Sequence, residues 1–191
     1  NGKPIISYVI DTVKKSSLFD EVMVSTDNIE IAEVAKKYGA QIPFLRSSKN
    51  ANDYSTLTDV VLEVIKSYKH QGRNFDEICC ILPTAVLITL DKIEETYQKL
   101  KNKNYSTVVP VIKYAYPIQR SLKIIDGLLK LREVKYLNTR SQDLENHFHD
   151  SGQFYWFKSQ SLIANKSLFK GKIAAIKVSP LEAHDIDELR S

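Results

Sequence analysis

The strongest constraint on this chain is the alternation of helix-spaced and strand-like apolar segments through its first 110 residues. The clearest strand covers residues 77–82, a continuous apolar run that Pro83 ends, as expected of a buried parallel strand. The clearest helix precedes it, with Thr56 and Asp59 at capping-box spacing and one apolar face from Leu57 to Tyr68. Such alternation predicts the α/β class, with a doubly wound, mainly parallel, Rossmann-like sheet.

Shorter segments continue the same alternation. One helix follows Pro4, and a second follows Asp27, whose spacing to Glu30 predicts a helix N-cap. Gly39 is placed to end that second helix. The remaining strands are predicted at residues 21–26, 42–45, 107–112, 153–157 and 173–178, with a further helix carrying Ile93, Tyr97 and Leu100.

The pattern changes after about residue 113. Asp126-Gly127 separates two short apolar runs, 122–125 and 128–131, which predicts a β-hairpin with a tight turn. A polar stretch over 138–150 follows, and then an aromatic run. We therefore expect residues 114–160 to form a mixed α+β extension within a single domain of 191 residues, a length that can bury a substantial core.

The charge, the hydropathy and the cysteine content narrow the classes of ligand and the cellular setting that the chain is expected to have. The net charge of +4 is spread along the chain, which fits a solvated surface or an anionic small ligand and does not favour nucleic acid. No apolar run approaches the roughly 20 residues of a membrane helix, and no secretion leader is visible, so a cytoplasmic protein without membrane contact is expected. Adjacent Cys79 and Cys80 lack metal or disulfide spacing, which predicts core thiols on opposite faces of a strand.

In doubly wound sheets, ligands bind beyond the carboxyl ends of the strands. Ser25-Thr26-Asp27 follows one predicted strand, and these residues can either cap a helix or present a hydroxyl and backbone N–H groups to a ligand. Arg46 and Thr84 follow two other strands. Arg46 is either a surface arginine or a clamp for a base or phosphate.

Two acidic residues stand near the end of the chain. Asp185 and Asp187, at positions i and i+2, supply the hard oxygen ligands that suit Mg²⁺, and a bound phosphate would complete the coordination. A solvated or helix-capping pair is the alternative. The His147-x-His149 pair admits a zinc site, but no further His or Cys lies close in sequence. The aromatic run 153–157 predicts core packing, with polar tips able to line a sugar pocket.

Several segments, taken together and in order, resemble a known family of enzymes. The chain is similar to the acylneuraminate cytidylyltransferases, sugar nucleotidyltransferases that make CMP-activated nonulosonic acids. Residues 138–145 and 149–156 most resemble the pseudaminic acid branch. The other matching segments are residues 1–4, 19–27, 31–35, 38–40, 43–46, 82–85 and 185–187.

The resemblance implies a nucleotide-diphospho-sugar transferase fold and a reaction. CTP and an acidic nine-carbon sugar, pseudaminic acid by preference, would give the CMP-sugar and pyrophosphate with Mg²⁺, for surface glycan biosynthesis. The alternatives are N-acetylneuraminic or legionaminic acid as the sugar, a non-catalytic nucleotide-sugar-binding homologue, or a structural oligomerisation domain. The extension at about 114–160 resembles the dimerisation arm of the family, which implies a homodimer.

The resemblance also implies roles for individual residues. Asp185 and Asp187 would hold the metal, and Arg140 would face an anionic group, in the partner subunit's site. The candidates for nucleotide binding are Ser25, Asp27, Arg46, Ser55 and Thr84. The candidates for sugar binding are Ser151, Gln153, Tyr155 and Phe169.

Three departures from the family pattern qualify these expectations. First, the family's first strand and its basic phosphate loop would precede Asn1. Second, Leu82 stands where sialic acid members have a glutamine and pseudaminic acid members often have an aromatic residue. Third, Glu188 follows the Asp185/Asp187 pair where a threonine is usual, and a final helix would follow Ser191. Because a central strand and the phosphate loop are expected to be missing, the resemblance predicts a truncated form that is weakly active or inactive.

Overall fold

The computed structural model of the chain describes residues 2–102 and 104–183. Its helices are α1 (Ile5–Val13), α2 (Ile29–Lys37), α3 (Leu57–His70), α4 (Leu90–Asn102) and α5 (Ser159–Asn165). Its strands are β1 (Glu77–Ile81), β2 (Thr107–Lys113), β3 (Leu122–Ile125), β4 (Leu128–Leu131), β5 (Phe148–Asp150), β6 (Phe154–Lys158) and β7 (Ile173–Lys177).

The main sheet is mixed, and β6 lies at its centre. β6 pairs antiparallel with β1 on one side and with the amino end of β2 on the other. β5 pairs antiparallel with the carboxyl end of β2, and β7 pairs parallel with the opposite edge of β2. β1, β2 and β7 therefore share one direction, while β5 and β6 run against them. The predicted α/β class is confirmed.

Side chains alternate across this sheet and build two cores. Phe154 and Trp156 join a first cluster that α4 covers through Ile93 and Leu100. Tyr155 and Phe157, which alternate with them along β6, point to the opposite face. They join a second cluster that α3 and α5 cover, formed by Val61, Val109, Tyr155, Phe157, Leu162 and Leu168.

The two cysteines follow the same alternation. Cys79 packs against the first cluster and Cys80 against the second, and neither is in a disulfide, as the sequence predicts. Burial raises the pKa of Cys79 well above its usual value. Burial also raises the pKa of Cys80 to about 12, although the nearby Arg46 charge acts in the opposite direction. Both thiols are therefore protonated, inert core groups at neutral pH.

The capping box predicted for α3 and the tight turn predicted for the hairpin both form. The Thr56 hydroxyl accepts a hydrogen bond from the Asp59 backbone N–H (3.2 Å), while the Asp59 carboxylate accepts one from the Thr56 N–H (3.1 Å), which completes the capping box. Asp126 and Gly127 both have positive φ, at 51° and 75°, as a type I′ turn requires. Short-range chemistry was sufficient to predict both features.

Two predictions near the N-terminal end need correction. The N-cap of α2 is Asn28 and not Asp27, because Asn28 Oδ1 accepts hydrogen bonds from the N–H groups of Glu30 (2.8 Å) and Ile31 (3.1 Å). The segments predicted as strands at 21–26 and 42–45 are not strands, and the first forms only an isolated parallel bridge, Met23 to Gln41. Its backbone bonds across to the neighbouring segment go to Gln41 and Arg46, on either side of 42–45, so no regular ladder develops.

The extension carries a hairpin of its own, β3–β4, separate from the main sheet. One face of the hairpin is wholly apolar, and its opposite face carries Lys123 and Lys130. Most of the apolar face is exposed; Ile124 is 76% and Leu129 is 64% accessible. The apolar face consists of Leu122, Ile124, Leu129 and Leu131.

No helix within residues 2–102 and 104–183 combines the length and the apolar character that a membrane crossing requires.

The central position of β6 generates a stability prediction. Phe157 is completely buried between α3, α5 and the sheet, so Phe157→Ala should lower the free energy of unfolding by about 3–5 kcal/mol. Urea denaturation measures this loss. Tyr54→Ala is the matched control, because Tyr54 is 95% exposed and its removal should change stability by less than about 0.5 kcal/mol. Equal losses in the two variants would contradict this packing.

Candidate active site

The turn that joins β5 to β6 lies at the carboxyl end of β1 and against the middle of β2. The Leu82 N–H donates to the Gln153 carbonyl (2.9 Å), and the Ser151 N–H donates to the Pro110 carbonyl (3.0 Å). These bonds fix the turn at residues 151–153 against both parallel strands. Thr84 lies in the turn that follows β1, which places it at the same edge of the sheet.

A first polar group joins two segments that are far apart in sequence. The Arg46 Nε–H donates to Ser25 Oγ (3.1 Å), and an Nη2–H of the same guanidinium donates to the Ser25 carbonyl (2.5 Å). The Arg46 backbone N–H also donates to the Thr26 carbonyl (2.8 Å). Two predicted nucleotide-binding residues, Ser25 and Arg46, are therefore in direct contact.

The irregular segment that follows Arg46 is organised by hydrogen bonds. Ser55 belongs to it, and its hydroxyl donates to the Lys49 carbonyl (3.2 Å). Glu63, on α3, accepts hydrogen bonds from the Ser47 backbone N–H (2.6 Å), from the Ser47 hydroxyl (2.7 Å) and from the Asn50 amide. We call residues 46–55 the Arg46 loop. It carries two of the predicted nucleotide ligands on a defined backbone.

A second polar group lies at the turn between β5 and β6. The Tyr155 hydroxyl and the Gly152 N–H (2.8 Å) both donate to the Asp150 carboxylate. Burial and the Asp150 carboxylate both raise the pKa of Tyr155, so the phenol is neutral at physiological pH. The Tyr155 ring contacts the exposed Phe169 ring edge-on, with 6.2 Å between centroids.

The neighbouring predicted sugar ligands are buried in the same turn. Gln153 is held by a hydrogen bond from its Nε2 to the Glu182 carbonyl (2.6 Å). Ser151 is also buried, and its hydroxyl has no hydrogen-bond partner among the described residues. Four predicted sugar-binding residues, namely Ser151, Gln153, Tyr155 and Phe169, are therefore brought together by this turn and its surroundings.

One residue of β1 lies near both polar groups. Cys80 lies directly opposite Tyr155 in the β1–β6 register and packs in the same cluster. The Arg46 charge is near enough to Cys80 to act on its pKa. Cys80 is therefore next to Tyr155 of the sugar group and within the electrostatic reach of Arg46 of the nucleotide group.

The other predicted site residues are not joined to these groups. Asp27 is exposed beside the cap of α2. Arg140 lies on the extension, where its guanidinium forms a two-pronged ion pair with Asp143 (2.8 and 3.1 Å). Asp185 and Asp187, the predicted metal ligands, lie outside the described residues. Within the described ranges no three acidic, His or Cys side chains are grouped as a metal site.

Two residues of the site were missed by the sequence reasoning. Asp150 had an available signal, because Asp-x-Gly is the spacing at which a carboxylate accepts from the backbone two residues on. Glu63 had no such signal, since it reads as a polar position on an amphipathic helix. The path of the Arg46 loop is what brings Ser47 and Asn50 to the Glu63 carboxylate, and local sequence does not predict that path.

The chain is similar to known cytidylyltransferases over almost its whole length. A family profile described as cytidylyltransferase matches residues 1–181. A pseudaminic acid cytidylyltransferase of Campylobacter jejuni is 34% identical over 190 residues, covering 99% of this chain and 82% of the relative. A CMP-N,N′-diacetyllegionaminic acid synthase of Legionella pneumophila is 28% identical, covering 97% of this chain and 81% of the relative.

A solved structure supports the same fold. The structure of a CMP:2-keto-3-deoxy-manno-octonic acid synthetase complexed with CTP aligns with a TM-score of 0.64 at 15% identity. The alignment covers 93% of this chain and 80% of that one. The family match over residues 1–181 and the 34% identity to the Campylobacter jejuni enzyme lead to one conclusion: the chain belongs to the cytidylyltransferase family.

Proposed function

We propose that this protein transfers CMP from CTP to an acidic nine-carbon sugar, with pseudaminic acid favoured, and releases pyrophosphate. One observation carries the proposal. The Asp150–Tyr155 group lies beside the carboxyl end of β1, and the charge of Arg46, which is bonded to Ser25, acts on Cys80 of the same strand. The carboxyl ends of parallel strands are where α/β sheets bind nucleotides.

The Arg46 loop is the proposed nucleotide side. A guanidinium presents several donors in a planar fork, which suits a triphosphate or the polar edge of a pyrimidine. Ser25 accepts two hydrogen bonds from the Arg46 guanidinium, and these bonds orient the remaining N–H donors of the same group. Ser55 and Thr84 would add hydroxyl groups to the same side.

The turn between β5 and β6 is the proposed sugar side. The Tyr155 hydroxyl donates its proton to Asp150, so its oxygen is left to accept a hydrogen bond from a sugar hydroxyl or amide. The exposed Phe169 ring offers an apolar face. The buried Ser151 hydroxyl has hydrogen-bonding capacity that no described residue uses, as a ligand group would require.

In the proposed reaction the anomeric hydroxyl of the sugar attacks the α-phosphorus of CTP. A new P–O bond forms to the sugar, and the bond from the α-phosphorus to pyrophosphate breaks. In phosphoryl chemistry of this kind the protein acts mainly by positioning the reactants and offsetting charge. Arg46 would hold the nucleotide, and the β5–β6 turn would hold the acceptor sugar.

Mg²⁺ is part of the proposal. Asp185 and Asp187 present the hard carboxylate oxygens that Mg²⁺ prefers, and they would hold it. When bound, the ion would neutralise charge on the triphosphate. The described chain leads towards this pair from Glu182, whose carbonyl is bonded to Gln153 of the sugar side.

The extension would build a homodimer. An isolated two-stranded hairpin is marginally stable in water, and β3–β4 exposes a wholly apolar face. A second copy of the same hairpin would cover that face. In such a dimer Arg140 would meet an anionic group in the partner subunit's site.

One assay distinguishes the proposed function from its alternatives, which are another acidic sugar as substrate and a non-catalytic binding protein. Pyrophosphate release should be measured with Mg-CTP and each of pseudaminic, legionaminic and N-acetylneuraminic acid. Release with pseudaminic acid at the highest kcat/KM supports the proposal, and a higher value with another sugar reassigns the substrate. CTP binding without pyrophosphate release would indicate the non-catalytic homologue.

The nucleotide role of Arg46 predicts a binding defect. Arg46→Ala should weaken CTP binding by about 10–100-fold, since hydrogen bonds from a charged donor contribute roughly 1.5–3 kcal/mol. Arg46→Lys should recover little of this affinity, because an ammonium cannot reproduce the planar fork. Calorimetric titration with CTP measures both. Arg132→Ala, on the exposed extension, is the control, and equal affinities in all of the variants would remove Arg46 from the site.

The metal role predicts a catalytic defect at Asp185. Asp185→Asn should lower kcat/KM by about 100-fold or more, as expected when roughly 3 kcal/mol of electrostatic stabilisation is lost. Chelation of Mg²⁺ should abolish turnover of the unaltered enzyme. Asp126→Asn makes the same chemical change in the hairpin turn and should leave turnover intact. Normal turnover by Asp185→Asn would refute the assignment.

The dimer proposal predicts a change in mass. The double variant Ile124→Lys/Leu129→Lys places two cations opposite each other on the apolar hairpin face and should give monomers in sedimentation analysis. Lys123→Glu/Lys130→Glu alters the opposite face at the neighbouring pair of the ladder and should remain dimeric. A dimer that survives the first change would place the interface elsewhere.

A further inference from the structure

The Glu63 carboxylate stands out as a charged group whose contacts all serve one loop. Both of its oxygens accept hydrogen bonds, one from the Ser47 N–H (2.6 Å) and the other from the Ser47 hydroxyl (2.7 Å) and the Asn50 amide. The first donor is a backbone group and the other two are side chains. The contact therefore fixes both the path of the Arg46 loop and the rotamers within it.

The helix that carries Glu63 is a rigid platform. α3 is capped at Thr56 and packs through Val61 into the second cluster, two residues before Glu63. The loop itself is irregular, although side chains within it bond to its own backbone, as Asn52 does to the Lys49 carbonyl (2.6 Å). Hydrogen bonds to an ionised acceptor are the strong kind, so Glu63 ties the irregular Arg46 loop firmly to the regular helix α3.

The charge state of Glu63 suits this role. Partial burial acts to raise its pKa, but the hydrogen bonds from Ser47 and Asn50, with the Arg46 charge, hold the pKa below its ordinary value. The carboxylate is therefore ionised at neutral pH and can accept all three bonds. Because the pKa of Glu63 is lowered, the contact stabilises the fold fully above the ordinary carboxyl pKa, and this stabilisation is lost as the pH falls below that value and through the lowered pKa.

Glu63 acts on the site through Arg46. The Arg46 backbone is bonded to Thr26 and its guanidinium to Ser25, and the very next residue is held by Glu63. We propose that Glu63 is a positioning residue, which holds the Arg46 loop in the conformation that receives the nucleoside triphosphate. The proposal rests on the proposed function of this loop and adds to it a residue that does not touch the nucleotide.

The test compares Glu63→Gln with Glu94→Gln in the full-length protein. Glu63→Gln keeps the side-chain size but removes the charge and replaces one acceptor oxygen by a donor. Glu94→Gln makes the same change on α4, away from the loop. Glu63→Asp is the conservative variant, since it keeps the charge on a shorter stem. The readouts are trypsin cleavage after the exposed Lys49, the CTP dissociation constant, and the separate values of kcat and of KM for each substrate.

Glu63→Gln is expected to speed cleavage after Lys49 and to weaken CTP binding about tenfold, the factor that corresponds to losing roughly one charge-assisted hydrogen bond. The KM for CTP should rise in parallel, while the KM for the sugar and kcat stay within about twofold. Glu63→Asp should fall between Glu63→Gln and the unaltered protein, and Glu94→Gln should match the latter.

The outcomes separate the two proposals. Unchanged cleavage after Lys49 in Glu63→Gln would overturn the loop-holding role. Faster cleavage with unchanged CTP affinity would overturn the link from Glu63 to the nucleotide. Absence of CTP binding by the unaltered protein would instead overturn the proposed function, and with it the assignment of this loop to a nucleotide.

Discussion

The antiparallel insertion of β6 between β1 and β2 is the pairing on which the rest of the structure depends. Each side chain from Phe154 to Phe157 is almost completely buried, and alternate residues enter opposite cores. The strand therefore joins the layers covered by α4 on one face and by α3 and α5 on the other. Because β6 runs against its neighbours, its first residues lie at the carboxyl end of β1, and the turn that precedes it becomes part of the site.

The candidate site is assembled from short polar contacts between distant segments. Ser25 and Arg46 are 21 residues apart, and Glu63 lies 16 residues beyond Ser47, yet each pair is in direct contact. Asp150 and Tyr155 are closer in sequence, but they meet only because a turn reverses the chain. Charged and polar groups arranged in this way are preorganised, so little reorganisation is needed when a ligand binds.

Much of the secondary structure was accessible from local patterns, and the exceptions have a physical cause. The capping box of α3, the Asp126-Gly127 turn and the opposed cysteines all follow from interactions within a few residues. The segments around Met23 and Gln41 have strand-like sequences but form a single bridge, because a ladder needs partner strands and not only β propensity. The N-cap of α2 is Asn28, one residue after the predicted Asp27. Sequence spacing places the end of a helix only to within one or two residues.

The sequence by itself determined the α/β class, the elements that alternate along the first 110 residues, and the residue types available for an anionic nucleotide-sugar chemistry. Those properties depend on periodicity and on side-chain chemistry, which are local. The tertiary structure alone decided that β6 opposes its neighbours, that Arg46 turns back to Ser25, that Glu63 contacts the Arg46 loop and that Asp150 contacts Tyr155. These depend on contacts between distant segments, and such contacts form only when burial of the common core brings the segments together.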